Sequence, residues 1–293
     1  MFIETTPKSW EDAKRIGSLL SCWVFRGHTS ATWRLATSLE RAANRFRCGP
    51  DLRWIREKVL VHDFRCRAHH YVQSPPSPIE HLEWLALVQH HGGPTRLLDF
   101  TESFYVAAFF AIETADEDAC VWAVNGITLH IKLEEQFGDT WQKFPTVIEQ
   151  QEATVRFTEQ FLQDRNRKKD FVVSVRPIRQ NQRLAIQKGL FLFPCDVEKS
   201  FESNLCATFG FPFTELTSSK ATKMAARAID DKVSRNAHVI KIILPRIWHA
   251  EAYLDLYSMN LDAASLFPGL DGFARSLQYH LRCMEGDDGD DDT

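Results

Sequence analysis

We predict an α+β fold from the order in which helical and strand-like patterns occur along the chain. Helical patterns dominate the N-terminal half, whereas short β-rich runs are more frequent in the C-terminal half. These runs do not alternate regularly with helices, and no glycine-rich phosphate-binding motif follows them. We therefore expect a helical N-terminal half packed on a β-rich C-terminal half, rather than a Rossmann or P-loop fold.

A predicted helix and a predicted strand open the chain. Apolar residues recur at helical spacing from Trp10 to about Leu20, and Ser9 can cap this helix. The next run, CWVFRG at residues 22–27, is short, apolar and rich in strand-forming residues. We expect a strand that ends at Arg26 and is stopped by Gly27.

Residues 41–67 carry many arginines interleaved with aromatic residues. One interpretation is an amphipathic helix with a packed face and a solvated basic face. The other is a surface that binds the phosphates of a nucleic acid. The sequence alone leaves both interpretations open.

Two further helices are predicted on either side of a turn rich in glycine. Prolines in QSPPSP, residues 73–78, interrupt helical hydrogen bonding. A helix then runs from near Pro78 to Gly92, and another begins after Thr101, whose hydroxyl can cap it. The second helix is apolar nearly all round, so we expect it to be central and buried.

The C-terminal half contains several strand-like runs and one long helical run. The predicted helix is within residues 146–169, and a short helix or turn begins RLAIQKGLFLFP at residues 183–194, whose second part is a predicted strand. The other candidate strands are CVWAVN at 120–125, ITLHIKL at 127–133, DFVVSVRPI at 170–178 and AHVIKIILP at 237–245. A helical stretch follows the last strand.

Composition indicates a globular protein without a membrane span. The 293 residues are 44% apolar, and no run approaches the roughly 20 apolar residues that cross a bilayer. Seven irregularly spaced cysteines form no metal-binding pattern, so we expect reduced thiols, no metal and a cytoplasmic location. We predict one domain over residues 1–280.

The last residues form a strongly acidic block. The net charge of −4 includes six acids in EGDDGDDDT at residues 285–293, and without them the remaining chain carries +2. We expect residues 281–293 to be a disordered acidic tail. The alternative is a tail that competes for a basic substrate groove.

Arg26 is the first candidate for a functional residue. A guanidinium at the end of a buried strand needs a partner, because it cannot lose its charge. That partner is either an internal acid such as Asp99 or the phosphates of a ligand, which the arginine fork suits. Gly27 would let such a ligand approach the backbone.

The stretch QHHGGPTRLLDFTES, residues 89–103, is the second candidate. His90 is predicted at a helix C-terminus, where the dipole favours its charged form, and Asp99 lies just before the next helix. Either can transfer a proton near neutral pH. The alternative is a structural corner in which Asp99 accepts backbone N–H groups and Arg96 covers helix carbonyls. Arg183 and Gln187, four residues apart, add a weaker signal.

Five segments resemble the FRG domain family, named for a Phe/Tyr-Arg-Gly motif. Phe25-Arg26-Gly27 matches that motif, and Ser38 to Arg41 resembles the segment that follows it. Trp84 to Thr101 follows the family pattern W-L-x-x-x-Q-H-x-G-x-P-T-R-L-L-D-W-T, with Phe100 in place of the second tryptophan. RLAIQKGLF and LFPGLDG, residues 266–272, are similar to later family segments.

A looser resemblance concerns arginine-type ADP-ribosyltransferases. In those enzymes an Arg-Gly pair at a strand end binds the diphosphate of NAD, and VFRG is similar in type and context. The resemblance also implies a catalytic glutamate, for which Glu149, Glu152 and Glu215 are candidates. It would make the fold ADP-ribosyltransferase-like.

These resemblances imply an NAD-dependent transferase that places ADP-ribose on a macromolecule such as nucleic acid, as a bacterial toxin or anti-phage effector. NAD would be the substrate, residues 41–67 would bind nucleic acid, and an antitoxin protein would be a further partner. The catalytic residues are predicted to be Arg26, His90 and Asp99. The residues predicted to bind NAD are Arg26, Gly27, Arg41, Thr95, Arg96, Arg183 and Gln187. The alternatives are an NAD or phosphodiester hydrolase and a non-catalytic nucleotide-binding or nucleic-acid-binding module.

Overall fold

A mixed β-sheet with helices on both faces forms the centre of the molecule. The computed structural model describes residues 1–213, 216, 222–278 and 280. The acidic tail at 281–293 and the candidate Glu215 lie outside these residues. The one-domain prediction for residues 1–280 stays a prediction.

The described residues contribute eight strands to this sheet, in the order β5-β6-β3-β2-β4-β8-β1-β7. β1 is parallel to both β7 and β8, and the other neighbouring strands are antiparallel. The strands are β1 (Phe2–Thr5), β2 (Trp23–His28), β3 (Leu98–Thr101), β4 (Ala119–Asn125), β5 (Val172–Val175), β6 (Gly189–Pro194), β7 (Thr222–Lys223) and β8 (Val239–Leu244).

Thirteen α-helices lie in the described part of the chain. They are α1 (Trp10–Leu19), α2 (Ser38–Arg45), α3 (Arg53–Ala68), α4 (His81–His90), α5 (Phe104–Ile112), α6 (Gly126–Phe137), α7 (Val147–Gln163), α8 (Gln182–Ile186), α9 (Phe201–Phe209), α10 (Asp231–Asn236), α11 (His249–Ser258), α12 (Ala263–Leu266) and α13 (Leu270–Ser276). Short 3₁₀ turns lie at Pro50–Leu52, Gly138–Lys143, Ala226–Ala228 and Arg246–Trp248.

Three hydrophobic clusters hold the helices on the sheet. The first cluster joins α1, α5 and α11 to the central strands, and the second joins α3, α4 and α7 to β5 and β6. The third cluster joins α6 and α9 to the opposite face, because alternate residues of a strand point to opposite sides. α5 is buried nearly all round, as its apolar sequence predicts.

The structure confirms an α+β fold but not a division into a helical half and a β-rich half. β3, β2 and β4, from the N-terminal half, lie between β6 and β8 of the C-terminal half, so strands from distant parts of the chain are neighbours in the sheet. Hydrophobic periodicity identifies elements, whereas strand order depends on pairing between distant residues.

Local predictions differ from the structure at four places. β2 does not stop at Gly27 but continues to His28, because Gly27 and His28 still pair with Val121 and Cys120 of β4. ITLHIKL lies in helix α6, where Asn125 accepts a hydrogen bond from Thr128 N, and is not a strand. Thr101 ends strand β3, and Ser103 caps α5 instead by accepting from Val106 N. The arginine-rich segment forms two helices, α2 and α3, with the 3₁₀ turn between them.

No helix among the described residues is long and apolar enough to cross a membrane.

Candidate functional site

A cavity of about 320 Å³ lies where β2 and β3 meet the ends of α4 and α8. We call it the Arg26 cavity. It brings together residues that are distant in sequence. Its lining includes Phe25, Arg26, Gly27, Ala86, Gln89, His90, Asp99, Phe100, Thr101, Phe110, Asn181, Arg183, Leu184, Gln187, Gly189 and Phe191.

The cavity lies beside a short strand pairing. Within the described chain, β2 and β3 pair at one position, Phe25 with Thr101, whereas β2 and β4 pair over six positions. Beyond Phe25, the Arg26 side chain reaches β3, and its Nη1 donates to the backbone oxygen of Asp99 at 2.7 Å. The guanidinium therefore bridges two strands at the point where their ladder stops.

Two more contacts orient Arg26. Its Nε donates to Nε2 of His28 at 3.1 Å, and its Nη1 lies 3.7 Å from Oδ2 of Asp99. Nη2 makes no hydrogen bond to the described residues, so it is available to a ligand in the cavity. Burial lowers the pKa of Arg26 and Asp99 opposes that shift, but a guanidinium remains charged at neutral pH.

His28 acts as a neutral acceptor beneath Arg26. The side chain is buried, and burial followed by the nearby charge of Arg26 lowers its pKa to about 3. The ring is therefore unprotonated at neutral pH, and its Nε2 lone pair can accept from Arg26 Nε. A charged histidine here would repel the guanidinium and lose that acceptor.

A chain of hydrogen bonds fixes the Asp99 carboxylate. Gln89 Nε2 donates to Asp99 Oδ2 at 2.7 Å, while Gln89 Oε1 accepts from Thr95 Oγ1 at 2.6 Å. Ser38 Oγ accepts from Thr95 N at 3.0 Å. Because the amide oxygen of Gln89 accepts a hydrogen bond from Thr95, its amide nitrogen is turned towards Asp99. About half of the Asp99 side chain stays exposed, which leaves it open to the cavity.

His90 ends α4 at the cavity wall. Its pKa is lowered, first by partial burial and then by His91 and Arg183. The expectation that the helix dipole keeps His90 charged is therefore not met, because burial and the neighbouring groups outweigh it. A neutral imidazole is suited to accept a proton.

Arg183 and Gln187 approach from α8 and the turn after it. The Arg183 guanidinium lies 4.3 Å from the ring centre of Phe267, and burial lowers its pKa while Asp99 raises it. The side-chain Nε2 of Gln187 donates to the backbone oxygen of Leu266 at 2.9 Å, and the backbone oxygen of Gln187 accepts from Thr101 Oγ1 at 2.6 Å. These two bonds attach the α8 side of the cavity to α12 and to β3.

Gly27 lines the cavity, but its packing on α5 explains why it has no side chain. A Cβ at this position would lie 2.0 Å from the Ala107 oxygen and 2.6 Å from the Ala111 nitrogen. These are backbone atoms of a buried helix and cannot move aside. Close packing of β2 on α5 therefore requires glycine here, and the expectation that Gly27 lets a ligand approach the backbone stays a prediction.

Arg96 and Thr95 do not line the cavity. Arg96 is almost completely buried, and its Nε donates to Oε2 of Glu57 at 2.6 Å. Its backbone nitrogen donates to Oε1 of the same glutamate at 2.8 Å. This closed ion pair corrects the prediction that Arg96 binds NAD. Thr95 is also fully buried and acts on the site through Gln89.

Arg41 lies outside the cavity lining, although close enough for its charge to lower the pKa of Arg26. It is exposed, and its Nη1 donates to the Ala36 oxygen at 2.5 Å. Arg41 therefore adds positive potential beside the cavity rather than a lining group. This differs from the prediction that it binds NAD directly.

Two candidates for a catalytic glutamate, Glu149 and Glu152, lie in the described part of the chain but outside the lining of the Arg26 cavity. Glu149 forms the capping box of α7 with Thr146, and Glu152 pairs with Arg156 at 3.3 Å on the same helix. Among the described lining residues, Asp99 is the only one with a carboxylate. The described lining of the Arg26 cavity therefore offers no glutamate for the role that the transferase resemblance implies.

Sequence reasoning missed His28, Gln89 and Asn181. His28 is two residues from Arg26, and the strand period of two places both side chains on one side. Gln89 precedes His90, but its role depends on the amide orientation that Thr95 sets. Asn181 caps α8 by accepting from Leu184 N at 2.8 Å, and that N-cap could have been predicted.

Comparison with known protein families matches residues 21–120 to the FRG domain. No curated protein and no solved structure matches the chain. The matched region contains β2, α4 and β3, while Arg183 and Gln187 lie beyond it. Residues 21–120 therefore match the FRG domain, and this region supplies Arg26, His90 and Asp99 to the cavity.

Proposed function

We propose that the Arg26 cavity binds NAD and that the protein transfers ADP-ribose from it to a macromolecule. The supporting observation is that Arg26, with a free Nη2, and Asp99, fixed by Gln89, line the same cavity. A cation for phosphate and a carboxylate for developing positive charge are the two groups that this chemistry needs.

The charges and rings of the cavity suit a dinucleotide. Arg26 and Arg183 oppose one carboxylate, so the described lining carries a net positive charge that favours a diphosphate. Phe25, Phe110 and Phe191 provide apolar wall against which a flat ring can pack. The polar amides of Asn181 and Gln187 can orient such a ring.

In the transfer, the bond between ribose C1′ and the nicotinamide nitrogen breaks. Nicotinamide leaves with the bonding electron pair as a neutral molecule, and positive charge develops on the ribose. The Asp99 carboxylate stabilises that charge. The acceptor then forms a bond to C1′ with a lone pair and loses a proton, which neutral His90 accepts and passes to solvent.

Two other functions remain candidates. A hydrolase would use the same groups with water as the acceptor. A non-catalytic nucleotide-binding module is favoured by the absence of a glutamate from the described lining of the cavity. These functions differ in what happens to NAD.

Incubation of the purified protein with NAD and with cellular RNA, DNA and protein separates the three. Free nicotinamide together with ADP-ribose on a polymer supports the transferase, and nicotinamide with free ADP-ribose indicates a hydrolase. Bound but unconsumed NAD indicates a binding module, and neither binding nor consumption would refute the proposal. Arg26→Ala and Asp99→Asn should lose turnover, whereas Arg156→Ala, which removes an exposed arginine of α7, should retain it.

In a bacterial cell, the proposed transfer of ADP-ribose would act as a toxin or as a defence against phage. It requires that expression in a bacterium slows growth and that Arg26→Ala relieves the effect. If the wild-type chain is harmless and indistinguishable from Arg26→Ala, the toxin role is rejected. An antitoxin would then have no target to neutralise.

A further inference from the structure

A second cavity, of about 550 Å³, lies at the C-terminal end of α3 and is separate from the Arg26 cavity. We call it the Tyr71 cavity. Its lining is mostly apolar or aromatic and consists of Asp63, Phe64, Arg67, Ala68, Tyr71, Val72 and His91. Tyr71 is 86% exposed, so a large ring is presented to solvent at the edge of an apolar hollow.

Several rings are grouped at this place. His69 and His70 lie with ring centres 3.9 Å apart, and Tyr71 meets His70 edge-on at 6.3 Å. Inside the cavity, Phe64 faces His91 at 6.5 Å. A flat, uncharged group that enters between Tyr71 and this wall would contact rings rather than polar groups.

Consecutive histidines line the two cavities. His90 lines the Arg26 cavity and His91 lines the Tyr71 cavity, and their ring centres are 4.9 Å apart. A group held in the Tyr71 cavity therefore lies next to the residue that we place at proton transfer. The arrangement suits an acceptor that reaches from one cavity to the other.

The segment that ends at the Tyr71 cavity is basic. Residues 41–72 carry eight arginines and lysines against three acids, and burial of Arg53 and Glu57 leaves seven cations and two acids that are exposed or partly exposed. Arg67 is exposed at the cavity wall, and its contact with Asp63 at 3.4 Å is a surface pair of small energy. Arg65 lies 5.4 Å from the ring centre of Trp84, beside the cavity.

We propose that the Tyr71 cavity binds a base of single-stranded nucleic acid, with the adjacent phosphates on the arginines of α2 and α3. Ring stacking together with a basic track is how proteins hold single strands. A base must leave a duplex before it can enter a hollow of this kind, so duplexes should bind less well. The binding itself is independent of the proposed function, and only the identification of the strand as ADP-ribose acceptor rests on it.

Charge favours a nucleic acid over a peptide as the occupant. Phosphates complement exposed arginines on both helices, whereas an apolar peptide would leave those charges without partners. Salt should therefore weaken binding steeply. Binding of a peptide with no salt dependence would contradict the proposal.

Fluorescence anisotropy with labelled single-stranded RNA and DNA, and with the matching duplexes, tests the site without NAD. We expect the single strands to bind more tightly and Tyr71→Ala to lose roughly tenfold in affinity, since one stacked base is removed. Tyr71→Phe keeps the ring and should bind as the wild type does. Ile247→Ala, at a residue that is also 86% exposed but remote in sequence, is the matched control.

Equal affinity for single strands and duplexes, or wild-type affinity of Tyr71→Ala, would overturn the proposal. Arg26→Ala should bind the strand normally, because that residue lies in the other cavity. If binding depends on Tyr71 while no variant and no wild-type sample consumes NAD, the base-binding site stands and the transferase function fails. If NAD is consumed but Tyr71→Ala still modifies the strand at the wild-type rate, the acceptor role fails.

Discussion

Arg26 and Arg96, both in the region that matches the FRG domain, have opposite environments in the structure. Arg96 is enclosed, with a glutamate beneath it and 1% of its side chain exposed. Arg26 has 19% of its side chain exposed and contacts a neutral histidine, a backbone oxygen and a more distant carboxylate. Glu57 pairs with Nε and Nη2 of Arg96, and the remaining Nη1 is enclosed without a hydrogen-bond partner among the described residues. Nη2 of Arg26 also has no such partner, but Arg26 lines a cavity in which a ligand can reach it.

The difference shows how a buried cation can be structural or functional. A guanidinium that a carboxylate pairs at short range has little left to offer a ligand. One that neutral acceptors orient keeps its charge directed at whatever lies in front of it. The partner of each arginine, rather than its burial, therefore distinguishes the two roles.

Glu57→Gln should have the largest effect, because it leaves the Arg96 charge buried without a compensating carboxylate. We expect a loss of about 3–5 kcal/mol in the free energy of unfolding. Urea denaturation measures it. Glu152→Gln, in an exposed pair on α7, is the control and should change stability by less than about 1 kcal/mol. Similar values for both variants would show that the Arg96 pair is not structural.

Gly27→Ala should come next, with a loss of about 1–3 kcal/mol, because its Cβ would overlap the Ala107 oxygen. The same denaturation experiment applies. Gly49→Ala is the matched control, since its Cβ would meet only the flexible side chain of Asp51. If Gly27→Ala is as stable as Gly49→Ala, the close packing of β2 on α5 is not a constraint.

Acid should weaken the protein through His28. Its pKa is about 3 in the folded protein and about 6.5 when unfolded, so below pH 6.5 the unfolded state binds a proton that the folded state does not. Stability is therefore present above pH 6.5 and is lost as the pH falls towards 3, by at most about 1.4 kcal/mol per pH unit for this group. His238, whose pKa is lowered to about 4, acts in the same direction.

Urea denaturation of the wild type and of His28→Gln at several pH values isolates the His28 contribution. The variant keeps a hydrogen-bond acceptor for Arg26 but cannot titrate, so its stability should depend less on pH between 6.5 and 4. Parallel pH profiles would mean that His28 is not held neutral.

Arg26→Lys should affect stability least and ligand binding most. The lysine keeps the positive charge but lacks the guanidinium that donates two hydrogen bonds at once. We therefore expect about tenfold weaker binding of NAD and a loss of less than about 1 kcal/mol in the free energy of unfolding. Arg96→Lys should show the reverse pattern. Isothermal titration with NAD, beside urea denaturation, measures both. If both variants change NAD affinity and the free energy of unfolding by the same amounts, the two arginines do not have different roles.

Several features of the fold were accessible from local sequence. β2 and the buried helix α5 correspond to short apolar runs. Ser9 caps α1, and Gly92 follows the end of α4, as predicted. In ITLHIKL, by contrast, apolar residues at every second position predict a strand, while Leu129 and Leu133 also fit a helical period of four. Only the packing of α6 on the sheet decides between these periods, and it buries that pair and exposes Ile127 and Ile131.

The site was predictable as a set of residues but not as a geometry. The sequence motifs indicate Arg26, His90, Asp99 and Gln187, and the structure brings these four to one cavity. The sequence does not reveal which acid pairs with Arg96, because Glu57 is 39 residues away, on helix α3. Nor does it reveal that the ladder between β2 and β3 is short, which depends on where the β3 strand begins.

The walls of the Arg26 cavity come from all three hydrophobic clusters, since Phe25 belongs to the first, Phe191 to the second and Phe100 to the third. A ligand that fills this space would contact each cluster at once. By linkage, a ligand at about a hundred times its dissociation constant stabilises the native state by about 2.7 kcal/mol. The melting temperature of the whole domain would rise with it, so heating the protein with candidate nucleotides identifies the bound molecule even when no reaction occurs.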